Sequence, residues 1–176
     1  MTSPAPALSW GHININVSCL EDSIAFYQKL GFSLLLPGIP YLELNASGES
    51  ATMPDSAALA LGMPRQSAGR ACIMQLDDGF PKIDLTQWAD GQPQSPPTNA
   101  DLGLVRLCLA SQDLARDYAL LREQGVRFLS PPQSMEGGKA DIAVCYDPDG
   151  TLIELIQLYL DKWQPLIDTS EDTPGT

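Results

Sequence analysis

The chemistry open to this chain begins with a single imidazole. His12 is the one histidine among 176 residues, so any mechanism that takes two imidazoles from one polypeptide is excluded. It stands in Gly11 to Val17, GHININV, where His12, Asn14 and Asn16 alternate with Ile13, Ile15 and Val17. That is the period-2 pattern of a half-buried strand with one polar face. Two other polar faces carry chemistry. Arg106 and Cys108 alternate with Leu107 and Leu109, and Asp84, Thr86 and Trp88 share a face in IDLTQW. A guanidinium stays charged and cannot ligate a metal, but it matches a carboxylate bidentately. The cysteines, Cys19, Cys72, Cys108 and Cys145, are scattered without a CxxC pair, which predicts reduced thiols and no thiolate zinc site. With no second imidazole to activate it, Cys108 reads as packing.

These residues sit on a repeat. Leu20 to Gly31, LEDSIAFYQKLG, has helical spacing and stops at glycine, and Asp113 to Gly125, DLARDYALLREQG, does the same. Gly69 to Trp88 and Gly138 to Leu158 each read as a strand, an Asp- and Gly-bearing turn, and a second strand. Aligning them sets IDLTQW from Ile83 against IELIQL from Ile153, so Glu154 stands where Asp84 stands. Each half is therefore a strand, a helix and three more strands. The second strand of the first half is predicted at Tyr41 to Ala46. Its counterpart in the second half is predicted at Val126 to Leu129. Gly48 to Ala68 reads as an insertion with helical character at Ser56 to Gly62, placed as a flap over a site. The expected organisation is a first module at 8–90, a Pro- and Gln-rich linker at 91–102, a second module at 103–160, and a polar tail at 161–176. Asp147-Pro148-Asp149-Gly150 reads as a hairpin turn rather than a metal loop.

Composition narrows the partners. At this length folding can bury roughly 70% of the unfolded surface, enough for a core without staples. Ten Lys and Arg against twenty-two Asp and Glu give a net charge of −12, which argues against nucleic acid and anionic membrane surfaces. No apolar run is long enough to span a bilayer, and the first residues show neither a basic nor an apolar signal region. The expected location is cytoplasmic.

Two βαβββ units carrying HININV…DSIAFYQKLGF and YDPDGTLIELIQ resemble the vicinal oxygen chelate superfamily of glyoxalases, bleomycin-resistance proteins and extradiol dioxygenases. The resemblance covers residues 10 to 160. It implies an α+β fold in which two tandem modules form an open, cup-shaped mixed sheet with helices outside. It also implies a homodimer and a small-molecule ligand in the cup.

The family's metal positions on the first and last strands fall here on His12, Asp84, Arg106 and Glu154. His12, Asp84 and Glu154 are the ligand set for a divalent metal if one is bound. Arg106 breaks the pattern, because such enzymes carry histidine there. Arg106 is expected to take the metal's place and neutralise the carboxylates, which leaves the cofactor as none or one divalent metal. The single histidine also excludes the ligand set of an extradiol dioxygenase. Acid–base chemistry survives, with His12, Asp84 and Glu154 as proton-moving groups and Arg106 holding an anionic oxygen. Asn14, Asn16, Trp88 and Cys108 are candidate substrate contacts.

Three functions remain open. One is a lyase or isomerase moving a proton beside a carbonyl, towards which the His12 and carboxylate set leans. The second is a metal-free binding or resistance protein. The third is a scaffold with its cup closed.

Overall fold

The computed structural model describes residues 6–93 and 95–163. Residues 1–5, and the tail expected beyond residue 163, lie outside the described residues. The chain divides into two compact units, Met1–Gln94 and Ser95–Thr176.

In the first unit β1 (His12–Asn16) leads into α1 (Leu20–Lys29) and β2 (Ser33–Leu36). An insertion follows: β3 (Gly38–Ile39), a 3-10 turn (Pro40–Leu42), β4 (Leu44–Asn45), β5 (Ala51–Thr52) and α2 (Asp55–Ala60). The long hairpin β6 (Ala68–Gln75) and β7 (Lys82–Trp88) completes the unit. The main sheet runs β1-β7-β6-β2, with β5 also on β6. The β1–β7 pair is parallel and the rest of that sheet is antiparallel. The second unit repeats the plan with β8 (Arg106–Ala110), α3 (Leu114–Glu123), β9 (Gln133–Ser134), β10 (Ala140–Tyr146) and β11 (Leu152–Leu158). Its order is β8-β11-β10-β9, with β8–β11 parallel. The molecule thus has the α+β class and the open mixed sheets that the sequence predicts. Among the described residues no helix is long and apolar enough to cross a membrane.

Two strand expectations are corrected. Ser33–Leu36, not Tyr41 to Ala46, joins the sheet beside β6. Pro37 and Pro40 lack N–H donors and Glu43 adopts φ 56, so that stretch folds into a 3-10 turn inside the small β3–β4 hairpin. Gly38 is required there, since a Cβ would meet the Leu44 carbonyl oxygen at 2.6 Å. Val126 to Leu129 runs beside β10 through a single bridge, Phe128 to Cys145. The strand proper comes after Pro131-Pro132, at Gln133–Ser134.

The central strands of the first sheet, β6 and β7, are buried on both faces. Register puts Ile15, Leu85 and Cys72 on one face, where α1 lies against β7 and buries Leu20, Phe26 and Tyr27. The other face carries Ala71, Ile73 and Trp88, and the insertion packs Ile39, Leu42, Leu44, Met53 and Ala58 onto it. Of the expected insertion at Gly48 to Ala68, Met53 and Ala58 belong to this core.

The repeat also explains how the helices are tied down. The Leu20 amide donates to Gln87 Oε1 at 3.0 Å, and the Leu114 amide donates to Gln157 Oε1 at 2.9 Å. Gln87 and Gln157 hold equivalent positions on the last strands, and each satisfies an amide that the first helical turn leaves without a partner. Helix α1 has no cap from Cys19, whereas in α3 the Arg116 amide also donates to Asp113. Gln87→Leu is therefore expected to cost about 1 kcal/mol, on the scale of a lost N-cap. Gln157→Leu should cost less, and urea midpoints at an unchanged slope measure both.

Candidate functional site

Parallel pairing of first and last strands brings the candidate side chains together within each unit. In the first, Asn14 is the register partner of Asp84 and Ile73 is its partner on the other side. Asp84 therefore points to the face covered by the insertion and is 2% exposed. The Tyr41 hydroxyl donates to Asp84 Oδ2 at 3.1 Å, and His12 Nε2 lies 3.5 Å from the same oxygen. Oδ1 is buried with no hydrogen-bond partner among the described residues. The imidazole is 46% exposed, so it connects a sealed carboxyl to the surface.

Burial dominates the electrostatics. It raises the Asp84 pKa above the ordinary carboxylate range, against the opposing pull of the His12 charge and the Tyr41 hydrogen bond. Burial and the Asp84 charge push the Tyr41 phenol up to about 12. The same two causes push the Cys72 thiol up to about 11.

Asn14, Asn16 and Trp88 form a chain along the β1–β7 edge. Thr86 Oγ1 donates to Asn14 Oδ1 at 2.9 Å, and Asn14 Nδ2 donates to Asn16 Oδ1 at 3.0 Å. Trp88 Nε1 donates to the same Asn16 oxygen at 3.0 Å.

In the second unit Cys108 is the register partner of Glu154, with Arg106 two residues earlier on the same face. Arg106 Nε donates to Glu154 Oε2 in an ion pair, Arg106 Nη1 donates to Asn99 Oδ1 at 2.9 Å, and Cys108 Sγ donates to Glu154 Oε1 at 3.4 Å. Glu154 is 8% exposed, so both oxygens of a buried carboxylate have donors. Burial and then the Glu154 charge push the Cys108 thiol up to about 11, with Arg106 pulling the other way. Cys108 is exposed at its edge yet remains a thiol at neutral pH. Asp147 Oδ1 accepts from the Asp149 and Thr151 amides at 3.0 and 2.7 Å, so the acidic DPDG turn serves its own hairpin.

Sequence reasoning missed Tyr41 and Asn99. Tyr41 was read into a strand and Asn99 into a linker, and no spacing rule links either to its partner.

The fold of each unit, βαβββ with first and last strands parallel, defines a class of module-repeat proteins. The Glyoxalase/Bleomycin resistance protein/Dioxygenase superfamily matches residues 9–155, and the chain belongs to that superfamily. None of the curated proteins gives a significant match. Among solved structures, a glyoxalase family protein from Bacillus cereus is 17% identical with a TM-score of 0.70, over 90% of this chain and 99% of that one. Glyoxalase I of Leishmania major is 18% identical with a TM-score of 0.60, over 94% and 97%. Glyoxalase I of Zea mays is 19% identical with a TM-score of 0.57, and the match spans 83% of this chain but only 43% of the maize one. At these identities the likeness is one of fold.

Members of this superfamily commonly bind a divalent metal, but the residues here do not fit one. Among the described residues no three His, Cys, Asp or Glu side chains form a group able to hold a metal ion. Both Glu154 oxygens accept from Arg106 and Cys108, and a fixed guanidinium charge stands where a cation would have to approach.

Because burial raises the folded pKa of Asp84, the native state holds this proton more tightly than the unfolded chain. Its contribution to stability is present at low pH and is lost as pH rises from about 4, the unfolded carboxylate range, through the raised folded value. Asp84→Asn is expected to flatten that part of the stability–pH curve in urea unfolding. An unchanged curve would show a carboxyl titrating as in water. At pH 8 Cys108 is expected to alkylate with iodoacetamide about tenfold or more slowly than a free model thiol, because less of it is thiolate.

Proposed function

We propose that this is a glyoxalase-like protein that moves a proton on a small oxygenated organic molecule, in the manner of a lyase or isomerase, without a resident metal. Each of the modules 8–90 and 103–160, joined by the linker 91–102, carries its own polar station, considered within that unit alone. His12 and Asp84 form the proton-transfer station. Neutral His12 takes the proton from the substrate carbon and returns it later, and the buried carboxyl stands beside the imidazolium so formed. Arg106, held by Glu154 and Asn99, is the oxygen-binding station. Within the second unit, its remaining N–H donors can hold an anionic oxygen of a ligand.

The observation that carries this reading is the His12–Asp84 contact. A half-exposed imidazole stands 3.5 Å from a carboxyl that burial holds above its ordinary pKa. A perturbed carboxyl beside an imidazole that reaches the surface is the kind of arrangement that proton-transfer sites use. Asn14, Asn16 and Trp88 frame the same edge and serve as ligand contacts through donors and ring surface not spent on one another. Family membership supports a homodimer working in the cytoplasm.

Plain binding is the second reading, favoured by one feature of the second unit. Ile142, Val144 and Ile156 are half-buried beside Glu154 on the face that also carries Cys108. They offer an apolar floor for a ligand that is held and released unchanged, as a sequestering resistance protein requires.

The two readings separate in deuterium oxide. Incubated with a panel of small α-hydroxy- and α-keto-carbonyl compounds, the enzyme is expected to exchange the proton beside the carbonyl of at least one, followed by NMR. His12→Gln should slow that exchange about a hundredfold or more, the scale of a lost general base. Tight binding without exchange would favour sequestration, and exchange that survives His12→Gln would exclude the proton-transfer role.

A further inference from the structure

A second concave surface forms in the first unit, where the segment after α2 meets the end of β7. Residues 63–68 lead from α2 into β6 and, with Trp88, Asp90 and Gly91, border a cavity of about 280 Å³. It stands apart from the His12–Asp84 contact. Asp84 and Trp88 are four residues apart on β7, about 13 Å along a strand.

The walls of this cavity are held by backbone hydrogen bonds. The Met53 amide donates to the Ser67 carbonyl at 3.1 Å, and the Ala89 amide donates to the Ala68 carbonyl at 2.8 Å. Ser67 Oγ closes the turn by donating to the Pro64 carbonyl at 2.7 Å. Within that turn Gln66 adopts φ 65, in the left-handed region that few residues other than glycine enter. A cavity fixed in this way needs little reordering to receive a ligand.

Its lining divides into apolar surface and charge. Met63, Pro64 and Trp88 supply the apolar part. Trp88 packs on the core cluster and spends its indole N–H on Asn16, so the ring surface left to the cavity is carbon. Gly91 leaves room beside it, since a Cβ there would stand 3.2 Å from the Trp88 carbonyl oxygen and 3.8 Å from the Trp88 Cβ. Asp90 is exposed, and its carboxylate has no partner among the described residues. Arg65, the one cation in the lining, pairs with Asp55 at 3.5 Å, and Asp55 is not part of the lining. One guanidinium against the carboxylates of Asp55 and Asp90 leaves a local charge of −1, on a chain whose net charge is −12.

We propose that this cavity binds a small organic cation, a substituted ammonium, with its apolar groups against Trp88 and its charge toward Asp90. Indole attracts a cation more strongly than the other aromatic side chains do, and a nearby carboxylate adds to that attraction. The same carboxylate disfavours an organic anion. A hard metal ion needs several oxygen ligands, and the lining holds a single carboxylate. The volume lies just below the usual range for ligand pockets, about 300–1,000 Å³, which selects a compact group over an extended one.

The probe is phenyltrimethylammonium, with tert-butylbenzene as its neutral isostere and benzenesulfonate as an anion of similar size. Each is titrated into the ¹⁵N-labelled full-length protein, and the indole N–H signals of its three tryptophans are followed by NMR. The Trp88 signal is the one kept in both Trp10→Phe and Trp163→Phe. Phenyltrimethylammonium is expected to move that signal saturably and to bind more tightly than either comparison compound. Asp90→Asn should weaken its binding about threefold or more, the scale of one exposed charge contact. Asp90 lies at the surface, so this change tests charge and leaves the core untouched.

A Trp88 signal that does not move saturably would overturn the proposal. Equal or tighter binding of the neutral or the anionic compound would do the same, as would affinity unchanged by Asp90→Asn. None of these readouts involves His12 or turnover, so they stand whether or not the protein catalyses deuterium exchange.

Discussion

Each unit buries a carboxylate on its last strand, and that constraint organises both candidate stations. An ionised carboxylate taken out of water costs several kcal/mol unless hydrogen-bond donors or a counter-charge meet it. Asp84 and Glu154 hold equivalent places in the repeat and meet the constraint differently. Glu154 has a guanidinium on one oxygen and a thiol on the other, so both its oxygens have donors. Asp84 has a phenol and an imidazole on one oxygen and, among the described residues, no hydrogen-bond partner on the other. One scaffold position thus carries a carboxylate with donors on both oxygens in one unit and a carboxyl with donors on one oxygen only in the other.

The backbone keeps these differences local. Parallel pairing of the first and last strands sets His12 close to Asp84 and Arg106 close to Glu154 without help from any loop. A glutamine three residues after each carboxylate ties the following layer to the same strand by meeting a free amide at the start of the helix. Packing then treats the units unequally. The insertion covers the carboxylate-bearing face of the first sheet, while the matching face of the second keeps half-buried apolar side chains. One carboxyl is thus covered, and in the other unit Arg106 stays partly exposed.

Much of this was legible in the residues. Alternation in GHININV placed His12, Asn14 and Asn16 on one face, and the repeat alignment paired Asp84 with Glu154. That alignment also paired Gln87 with Gln157, although their service as helix caps is a tertiary contact that periodicity does not encode. Helix ends were readable because Gly31 and Gly125 adopt positive φ, as C-terminal glycines do. Short apolar runs were not. Tyr41 to Ala46 has strand-like composition, but two prolines and a left-handed Glu43 turn it into a 3-10 turn, and that turn is what delivers Tyr41. Val126 to Leu129 was misplaced for a related reason, since its pairing stops where Pro131 and Pro132 interrupt it. Tyr41 and Asn99 come from connections, where side-chain reach depends on the fold and not on sequence spacing.

Membership of a superfamily whose members commonly hold a divalent metal makes Arg106 the most consequential residue in the chain. Its guanidinium pairs with Glu154, and the proposed metal-free function requires that pair to stand in place of a cation. The most direct measurement is elemental analysis of the purified full-length protein, followed by calorimetric titration with Zn²⁺, Ni²⁺, Mn²⁺ and Fe²⁺, for the natural chain and for Arg106→His. The account predicts no stoichiometric metal and no binding in the natural protein, with binding gained when histidine replaces the guanidinium. One tightly bound metal per chain in the natural protein would contradict it.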